Sequence, residues 1–591
     1  MKLNKLYSNK SNVFPDIIFN KGLNVVLGQI RDPENRKKTT HNIGKTTFIK
    51  IIDFCLLKGI SQYSFWRKKP QVFKDFEFYL EISYDTGFLT LKRSFNNDTK
   101  VSIKRHLQEG QDFRLGNVTW DHDEISYENA KKILDGYFDF DIIKPWDYRK
   151  ITSYLLRTQG DYDDVFRLDK HAGKDIDWKP PLVQILGLDG LLVQKAYETD
   201  EQVIELENKI SFLEKRVSEF KDDPDKLNGL IQVNQQEIDT FEEKLQSFDF
   251  KEVEDEINKE LVDDIEKQIS ELNSQKYYLN LEISSIKNSL EVQNNFSLKK
   301  TEKLFNEAGI YFGEQIVKDY DDLIEFNRKI TRERRKYLKI ELSEKEESFP
   351  IVEERLVHLN TLRKEALSKI KERETFDKYK KLGSKLAEQK LILLNLESIR
   401  DDLKSLQLEK DQLDNKKEVR KDITKKMDKV LSEPSKRYLD IKSSYNKFIK
   451  STLNKSAIIT TRTNSSGNYT FDTPFIDKDG LSTSEDDGHT FKKLQCIAFD
   501  AAIVSNSTTK KFPHFIIHDG VLETIENRTK LNLLEAFKGL TQNNVQVIIT
   551  ILDSHLPTLQ DGTIFSFDEE EIIRTLHDGG DEGLLFKRPS W

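Results

Sequence analysis

The residues best suited to chemistry begin at His41-Asn42-Ile43-Gly44-Lys45-Thr46-Thr47. A Gly-Lys-Thr triplet that opens a helix gathers backbone N–H groups, one ammonium and one hydroxyl around a single point. That set suits a phosphate chain carrying Mg2+. In this reading Lys45 reaches the β- and γ-phosphates of ATP and the Thr46 hydroxyl holds Mg2+. Asn42, Gly44 and Thr47 complete the nucleotide-binding set. The spacing departs from G-x-x-x-x-G-K-[ST], because Thr39 stands at the first glycine position. Gly28 lies well upstream, and a basic insert with Arg31, Arg36, Lys37 and Lys38 separates it from Gly44. A surface turn that happens to contain Gly-Lys-Thr is the alternative.

Such a loop must follow a strand and precede a helix. Leu23-Asn24-Val25-Val26-Leu27-Gly28 supplies the first, and Phe48-Ile49-Lys50-Ile51-Ile52 the second. Further strand signals surround them. Phe76, Phe78, Leu80, Ile82 and Tyr84 alternate as a half-buried strand requires. Near the C-terminus, Phe515-Ile516-Ile517 and Val545-Gln546-Val547-Ile548-Ile549 are short apolar runs that fit buried parallel strands, with a helical stretch from Asn527 to Phe537 between them. Neither flank has a complete α/β pattern alone, so the two read as halves of one domain.

Between the flanks the apolar residues repeat in heptads. Val203, Leu206, Ile210, Leu213, Val217 and Phe220 form one stripe, as do Leu272, Leu279, Ile283, Ile286 and Leu290, and again Leu396, Ile399, Leu403, Leu406 and Leu413. Pro224 predicts a break. The heptads fade between about 295 and 345, where Glu307–Gly313 reads as a turn-rich insert, and then resume. The expected order is an N-terminal half-domain (1–185), an outgoing coiled-coil arm (186–295), an apex (296–345), a returning arm (346–435) and a C-terminal half-domain (436–591). An ordinary bundle of helices is the competing reading of the heptads.

Composition agrees with long solvated helices. Of 591 residues 33% are charged, above the roughly 25% usual for globular domains, whereas Gly and Pro number only 25 and 13. Two cysteines, Cys55 and Cys496, exclude a disulfide framework or a Cys-rich zinc site. The sequence contains neither a long apolar run nor a signal-peptide pattern, so a cytoplasmic protein without a membrane segment is expected. A formal net charge of −8 confines any DNA contact to local basic patches. The candidates are Arg328, Lys329, Arg332, Arg334, Arg335, Lys336 and Lys339 at the apex, Trp66-Arg67-Lys68-Lys69, and Arg36-Lys37-Lys38. A solvated helix face explains the apex cluster equally simply.

A nucleotide loop in the first half, a long heptad hairpin and a β-rich second half resemble the coiled-coil ABC ATPases, the SMC and RecN group. Within that group the chain looks most like the YydD-type bacterial proteins and the SMC-like subunits of Lamassu-type anti-phage systems. The resemblance implies an α/β ABC-type P-loop ATPase head assembled from N- and C-terminal halves and interrupted by a long antiparallel α-helical coiled coil.

The resemblance also implies roles. Tyr154–Gly160 lies where the family places its Q-loop, so Gln159 would touch Mg2+ and the attacking water. Phe515-Ile516-Ile517-His518-Asp519 looks like a Walker B strand ending in the Mg2+ ligand Asp519. Gly520 stands where the family has a catalytic Glu, leaving Glu523 and Glu526 as candidates to orient water. Leu481-Ser482-Thr483-Ser484-Glu485 resembles an altered signature loop, with Ser482 and Ser484 as nucleotide contacts and Gly488 as the centre of a second register. His555 falls near the family's switch histidine. In the family, ATP joins two heads, which implies a homodimer. The relatives also imply DNA as a ligand, an effector nuclease and an accessory subunit as partners, and a role in anti-phage defence. A clamp with little turnover and a housekeeping repair or chromosome-organising ATPase are the alternatives.

Overall fold

The computed structural model describes residues 1–31, 43–59, 61–62, 64–114, 118–168, 173–248, 256–291, 314–368, 373–483, 488–506 and 511–588. It divides into two compact units. The first joins Met1–Glu205 to Leu413–Trp591, and the second is Leu206–Gln412.

Two sheets organise the first unit. Strands β1 (Lys2–Ser8), β2 (Ile17–Ile18), β4 (Glu77–Tyr84), β5 (Gly87–Ser94), β6 (Lys100–His106) and β7 (His122–Ser126) form an antiparallel sheet in the order β2-β1-β4-β5-β6-β7. Phe78, Leu80 and Ile82 are buried on one face of β4, but Tyr79 and Glu81 on the other face are buried as well, so the strand is covered on both sides rather than half-buried as the alternation predicts. Helix α1 (Lys45–Cys55) packs against β4 and β5.

The second sheet is parallel. It contains β3 (Leu23–Gln29), β8 (Leu156–Arg157), β14 (Phe515–His518), β15 (Gln546–Leu552) and β16 (Ile572–His577) in the order β16-β3-β15-β14-β8. All of β14 and β15, and β3 up to Gly28, are buried, which explains why their sequences are nearly unbroken apolar runs rather than alternating ones. Strand β3 lies between β15 and β16, so a strand from the first half of the chain is flanked on both sides by strands from the last part. The two flanks build one sheet together.

Two smaller sheets complete this unit. One holds β9 (Ser456–Ala457), β12 (Phe475–Ile476) and β13 (Ser482–Thr483), and the other is the hairpin of β10 (Thr460–Thr463) and β11 (Tyr469–Asp472). The helices Asp175–Ile185, Lys436–Leu453, His489–Ser505 and Asn527–Gln542 supply much of the remaining core.

The second unit is helical and antiparallel. Helix Glu256–Glu291 packs along helix Glu314–Ser368, burying Ile265 and Ile269 against Leu356 and Leu359. The ion pairs Arg363–Glu266, Lys276–Glu353, Lys345–Glu282 and Lys287–Glu346 bridge the two helices along their length, the first two in strict antiparallel register. Leu206, Ile210, Val217, Phe220, Ile283, Ile286, Leu396 and Leu406 from the heptad stripes are all buried. The helix breaks between Arg216 and Pro224, where the proline opens the next helix, Pro224–Gln246, at its first turn. Helix Glu314–Ser368 begins within the expected apex, 296–345, and continues into the returning arm. The turn-rich insert Glu307–Gly313 lies outside the described residues.

Tyr379 marks a step in register. Its ring meets Phe248 at 5.5 Å while its hydroxyl donates to Asp263 at 3.0 Å, so residues far apart on one side converge on a single partner.

Candidate functional site

Helix α1 begins at Lys45 because Gly44 ends the preceding loop in the left-handed region, φ 107°, ψ 9°. A side chain at this position would be strained by φ and would also meet Leu585, whose Cβ would lie 2.5 Å away. The C-terminal segment fixes this loop from outside: the Leu585 amide donates to the Ile43 carbonyl at 3.0 Å. Among the described residues no side chain caps the helix, and its first-turn N–H groups point the way an anion would need them.

Lys45 is 6% exposed. Its Nζ lies 3.9 Å from Glu523 Oε1. Burial pushes its pKa below the usual lysine value, and Glu523, Asp519 and Asp553 oppose that shift. The Thr46 hydroxyl donates to Asp519 Oδ2 at 2.6 Å. These two residues are 473 positions apart and meet because β3 and β14 belong to one sheet, separated only by β15. Asp519 is buried, and its second oxygen accepts a 2.6 Å hydrogen bond from Thr550 on β15. The same Thr550 oxygen accepts from the Gly520 amide at 3.0 Å.

Gln159 opens a short 3-10 turn, Gln159–Tyr162, directly after β8. Thr158 and Asp161 cap that turn reciprocally, which fixes its start. The Gln159 amide donates to both oxygens of Glu523, at 3.1 and 3.0 Å. Lys45, Thr46, Gln159, Asp519 and Glu523 therefore meet in one place. His555 ends β15's exit turn, Asp553–His555. Burial lowers its pKa, with Glu523 acting in the opposite direction. Asp553 on that turn accepts from the Ile30 amide at 3.1 Å, tying the turn to the end of β3.

The remaining candidates make no hydrogen bond or ion pair with the side chains of this cluster among the described residues. Glu526 is exposed at the start of helix Asn527–Gln542 and accepts a 3.2 Å hydrogen bond from Thr529. Thr47 is half-buried on α1. Ser482 is exposed on β13 and Gly488 is the N-cap of helix His489–Ser505. No hydrogen bond or ion pair among the described residues joins either to Lys45, Thr46 or Asp519. Asn42, Ser484, Arg36, Lys37 and Lys38 lie outside the described residues. Of the basic candidates, Arg67 is engaged internally with Asp98, at 2.8 and 2.9 Å, and Trp66 is buried beside it. Lys336 and Lys339 are exposed, while Arg335 donates to the Leu290 carbonyl.

Sequence reading missed Lys493, Thr550 and the pair Arg157–Asp500. Both members of that pair are fully buried, bonded at 2.7 and 3.0 Å, with Arg157 also donating to the carbonyls of Asp161, Asp164 and Val165. The pair anchors the Gln159 turn to helix His489–Ser505. An Arg directly before the Thr-Gln dipeptide, at the end of an apolar stretch, is the one signal that could have pointed to it.

Residues 448–589 match the family described as an uncharacterised protein conserved in bacteria, DUF2326. No curated protein matches the chain. Among solved structures, the chain is similar to an Smc head domain with a coiled coil and joint from Pyrococcus yayanosii. That similarity has 14% identity and a TM-score of 0.37, covering 96% of this chain and 98% of the other. It is also similar to an Smc head domain with an extended coiled coil, bound to the C-terminal domain of ScpA, from Pyrococcus furiosus. There the identity is 13% and the TM-score 0.32, covering 94% and 90%. Among the described residues no helix is long and apolar enough to cross a membrane.

Proposed function

We propose that the chain is an SMC-like ATPase whose first unit binds Mg2+-ATP at the Lys45 cluster. The observation that carries this reading is the Thr46–Asp519 hydrogen bond, which pairs a hydroxyl at a helix N-terminus with a strand-end carboxylate beside a buried lysine. The fit to a nucleotide rests on three features. Among the described residues no side chain caps the first turn of α1, Gly44 leaves the backbone bare, and the buried Lys45 ammonium faces carboxylates as it would face a phosphate. Thr46 and Asp519 together make a hydroxyl and one carboxylate, the kind of sparse protein set Mg2+ uses when phosphates supply the remaining ligands.

In this assignment Lys45 would meet the β- and γ-phosphates, and Thr46 and Asp519 would hold Mg2+. Mg2+-ATP supplies the phosphoryl group that water attacks. Gln159 and Glu523 would orient that water. Glu523 is favoured over Glu526 because only Glu523 contacts both Lys45 and Gln159. Ser482, Ser484 and Gly488 would meet the nucleotide held by a second copy, making the active form a homodimer. The resemblance further suggests that the dimer senses or holds DNA and controls a partner effector nuclease in bacterial anti-phage defence, in the cytoplasm.

A clamp with slow turnover is the second reading, favoured by Gly520, which adopts φ +60° and leaves no carboxylate directly after Asp519. Measuring ATP binding and hydrolysis with and without linear duplex DNA separates the two. DNA-stimulated turnover that Lys45→Ala abolishes is expected. Binding without turnover would favour the clamp, and failure of wild-type protein to bind nucleotide would overturn the site assignment. The defence role is tested separately, by whether a phage-exposed culture loses protection when Lys45→Ala replaces the wild-type gene in its native neighbourhood.

A further inference from the structure

The turn that carries Glu523 is held by an unusual set of contacts. It has left-handed residues at both ends, Gly520 at φ +60° and Thr524 at φ +65°. Its one backbone hydrogen bond runs from the Glu523 amide to the Gly520 carbonyl, at 3.2 Å. A threonine in the left-handed region costs about 1–2 kcal/mol, so such a turn needs support from outside itself.

That support comes from the first turn of helix His489–Ser505. Lys493 Nζ donates to the Gly520 carbonyl at 3.1 Å and to the Glu523 carbonyl at 3.0 Å. One helical turn earlier, the Thr490 hydroxyl donates to the Thr524 carbonyl at 2.9 Å. Three carbonyls of the turn are thus taken by two side chains spaced i, i+3 on one helix face. The Lys493 side chain is 3% exposed, and its ammonium lies 5.3 Å from the centre of the Tyr162 ring. Tyr162 closes the same 3-10 turn that Gln159 opens. Lys493 therefore touches both segments that meet at the Glu523 carboxylate.

We propose that Lys493, assisted by Thr490, is a positioning residue that sets the Gly520–Thr524 turn so that the Glu523 carboxylate faces Lys45 and Gln159. This rests on the reading of Glu523 as the residue that orients water. Its consequence is specific. Gly488, the N-cap of the same helix, lies five residues before Lys493, so the end of the loop that would contact a second copy and the turn that carries Glu523 share one support.

The full-length chain carrying Lys493→Met, with Lys493→Arg and Glu523→Gln as companions, tests the proposal. Lys493→Met is expected to leave the Kd for Mg2+-ADP within about twofold of wild type, because it touches neither Lys45 nor Thr46. Turnover should fall by roughly 10- to 100-fold, the scale of a misplaced catalytic group. Lys493→Arg should recover part of it, and Lys493→Met should cost nothing further in the Glu523→Gln background. Hydrogen exchange at the Glu523 amide supplies a readout independent of turnover, and it should accelerate in Lys493→Met while β14 and β15 stay protected. Unchanged exchange at that amide overturns the proposal, as does turnover near wild type in Lys493→Met. Global loss of protection would mark misfolding, and Lys493→Arg then carries the same two readouts. Failure of nucleotide binding in wild type would instead overturn the site assignment, leaving the exchange result to judge the positioning role by itself.

Discussion

Gly520 directly follows Asp519, and the surrounding atoms explain why a side chain is disfavoured there. A Cβ at this position would lie 2.7 Å from Gln159 Nε2 and 2.9 Å from the Glu523 carboxyl carbon, at a φ that disfavours any side chain. Gly520→Glu is therefore expected to destabilise the protein by about 1–2 kcal/mol and to lower turnover rather than raise it. Urea denaturation with a parallel activity assay checks both. Arg157→Met removes one partner of a fully buried ion pair and leaves Asp500 behind, at an expected cost of about 3–5 kcal/mol, readable in the same denaturation curves. His555 gives a pH test. Its folded-state pKa is depressed below 6.5 by burial, so the native state binds fewer protons than the unfolded chain just below that value. Its contribution to stability is complete above pH 6.5 and is lost as the pH falls through the folded pKa. His555→Gln should flatten that part of the curve of urea midpoint against pH.

At the scale of elements, the unit between Leu206 and Gln412 depends on a narrow seam. Leu356→Ala, which empties a position packed between Ile265 and Ile269, is expected to cost about 2–3 kcal/mol and to lower the melting temperature of the helical signal. The charge pairs matter less: Lys276→Glu should cost less than about 1 kcal/mol, with Lys276→Glu/Glu353→Lys restoring it. Elements were legible where their period or composition was pure. The heptad stripes, the break at Pro224 and the continuous apolar runs of β3, β14 and β15 appear in the structure as read, whereas β4 is a strand as read but buried on both faces. The antiparallel partners β5 and β6 were hidden because an arginine falls in register with the apolar residues of each: Arg93 follows Leu89 and Leu91 and is buried, and Arg105 follows Val101 and Ile103. The candidate site was legible only in part. Lys45, Thr46 and Asp519 carry motif signals, whereas Lys493 and Thr550 act through carbonyls and a hydroxyl brought close by packing, and no local pattern announces such contacts.

For the molecule as a whole, the position of β3 decides what can fold alone. Residues 1–205 contain β3 and β8 but none of β14, β15 or β16, so this fragment cannot complete the parallel sheet. Expressed by itself it is expected to aggregate or remain protease-sensitive. Co-expression with residues 413–591 should yield a co-purifying pair that regains protection, and nucleotide binding by that pair would place the Lys45 cluster within these two segments alone. Limited proteolysis and size-exclusion chromatography of the pair check the outcome.

The same strand order sets a schedule for synthesis. Strand β3 leaves the ribosome early, yet its neighbour β15 follows more than 500 residues later, a delay of roughly half a minute to two minutes at bacterial elongation rates. Throughout that interval Val25, Val26 and Leu27 form a bare apolar edge, the kind of segment chaperones capture and that pairs wrongly with other nascent chains. The intervening helices shorten the search that follows. Left flexible, a connection of about 200 residues would add about 5 kcal/mol of closure entropy to joining the two flanks. Zipped, the helices bring the two ends of that segment side by side, as the Lys410–Glu214 pair marks, and so shorten the chain left to search. Substitutions that weaken the helical seam should therefore show themselves first as poor soluble yield, well before they alter any property of the folded protein.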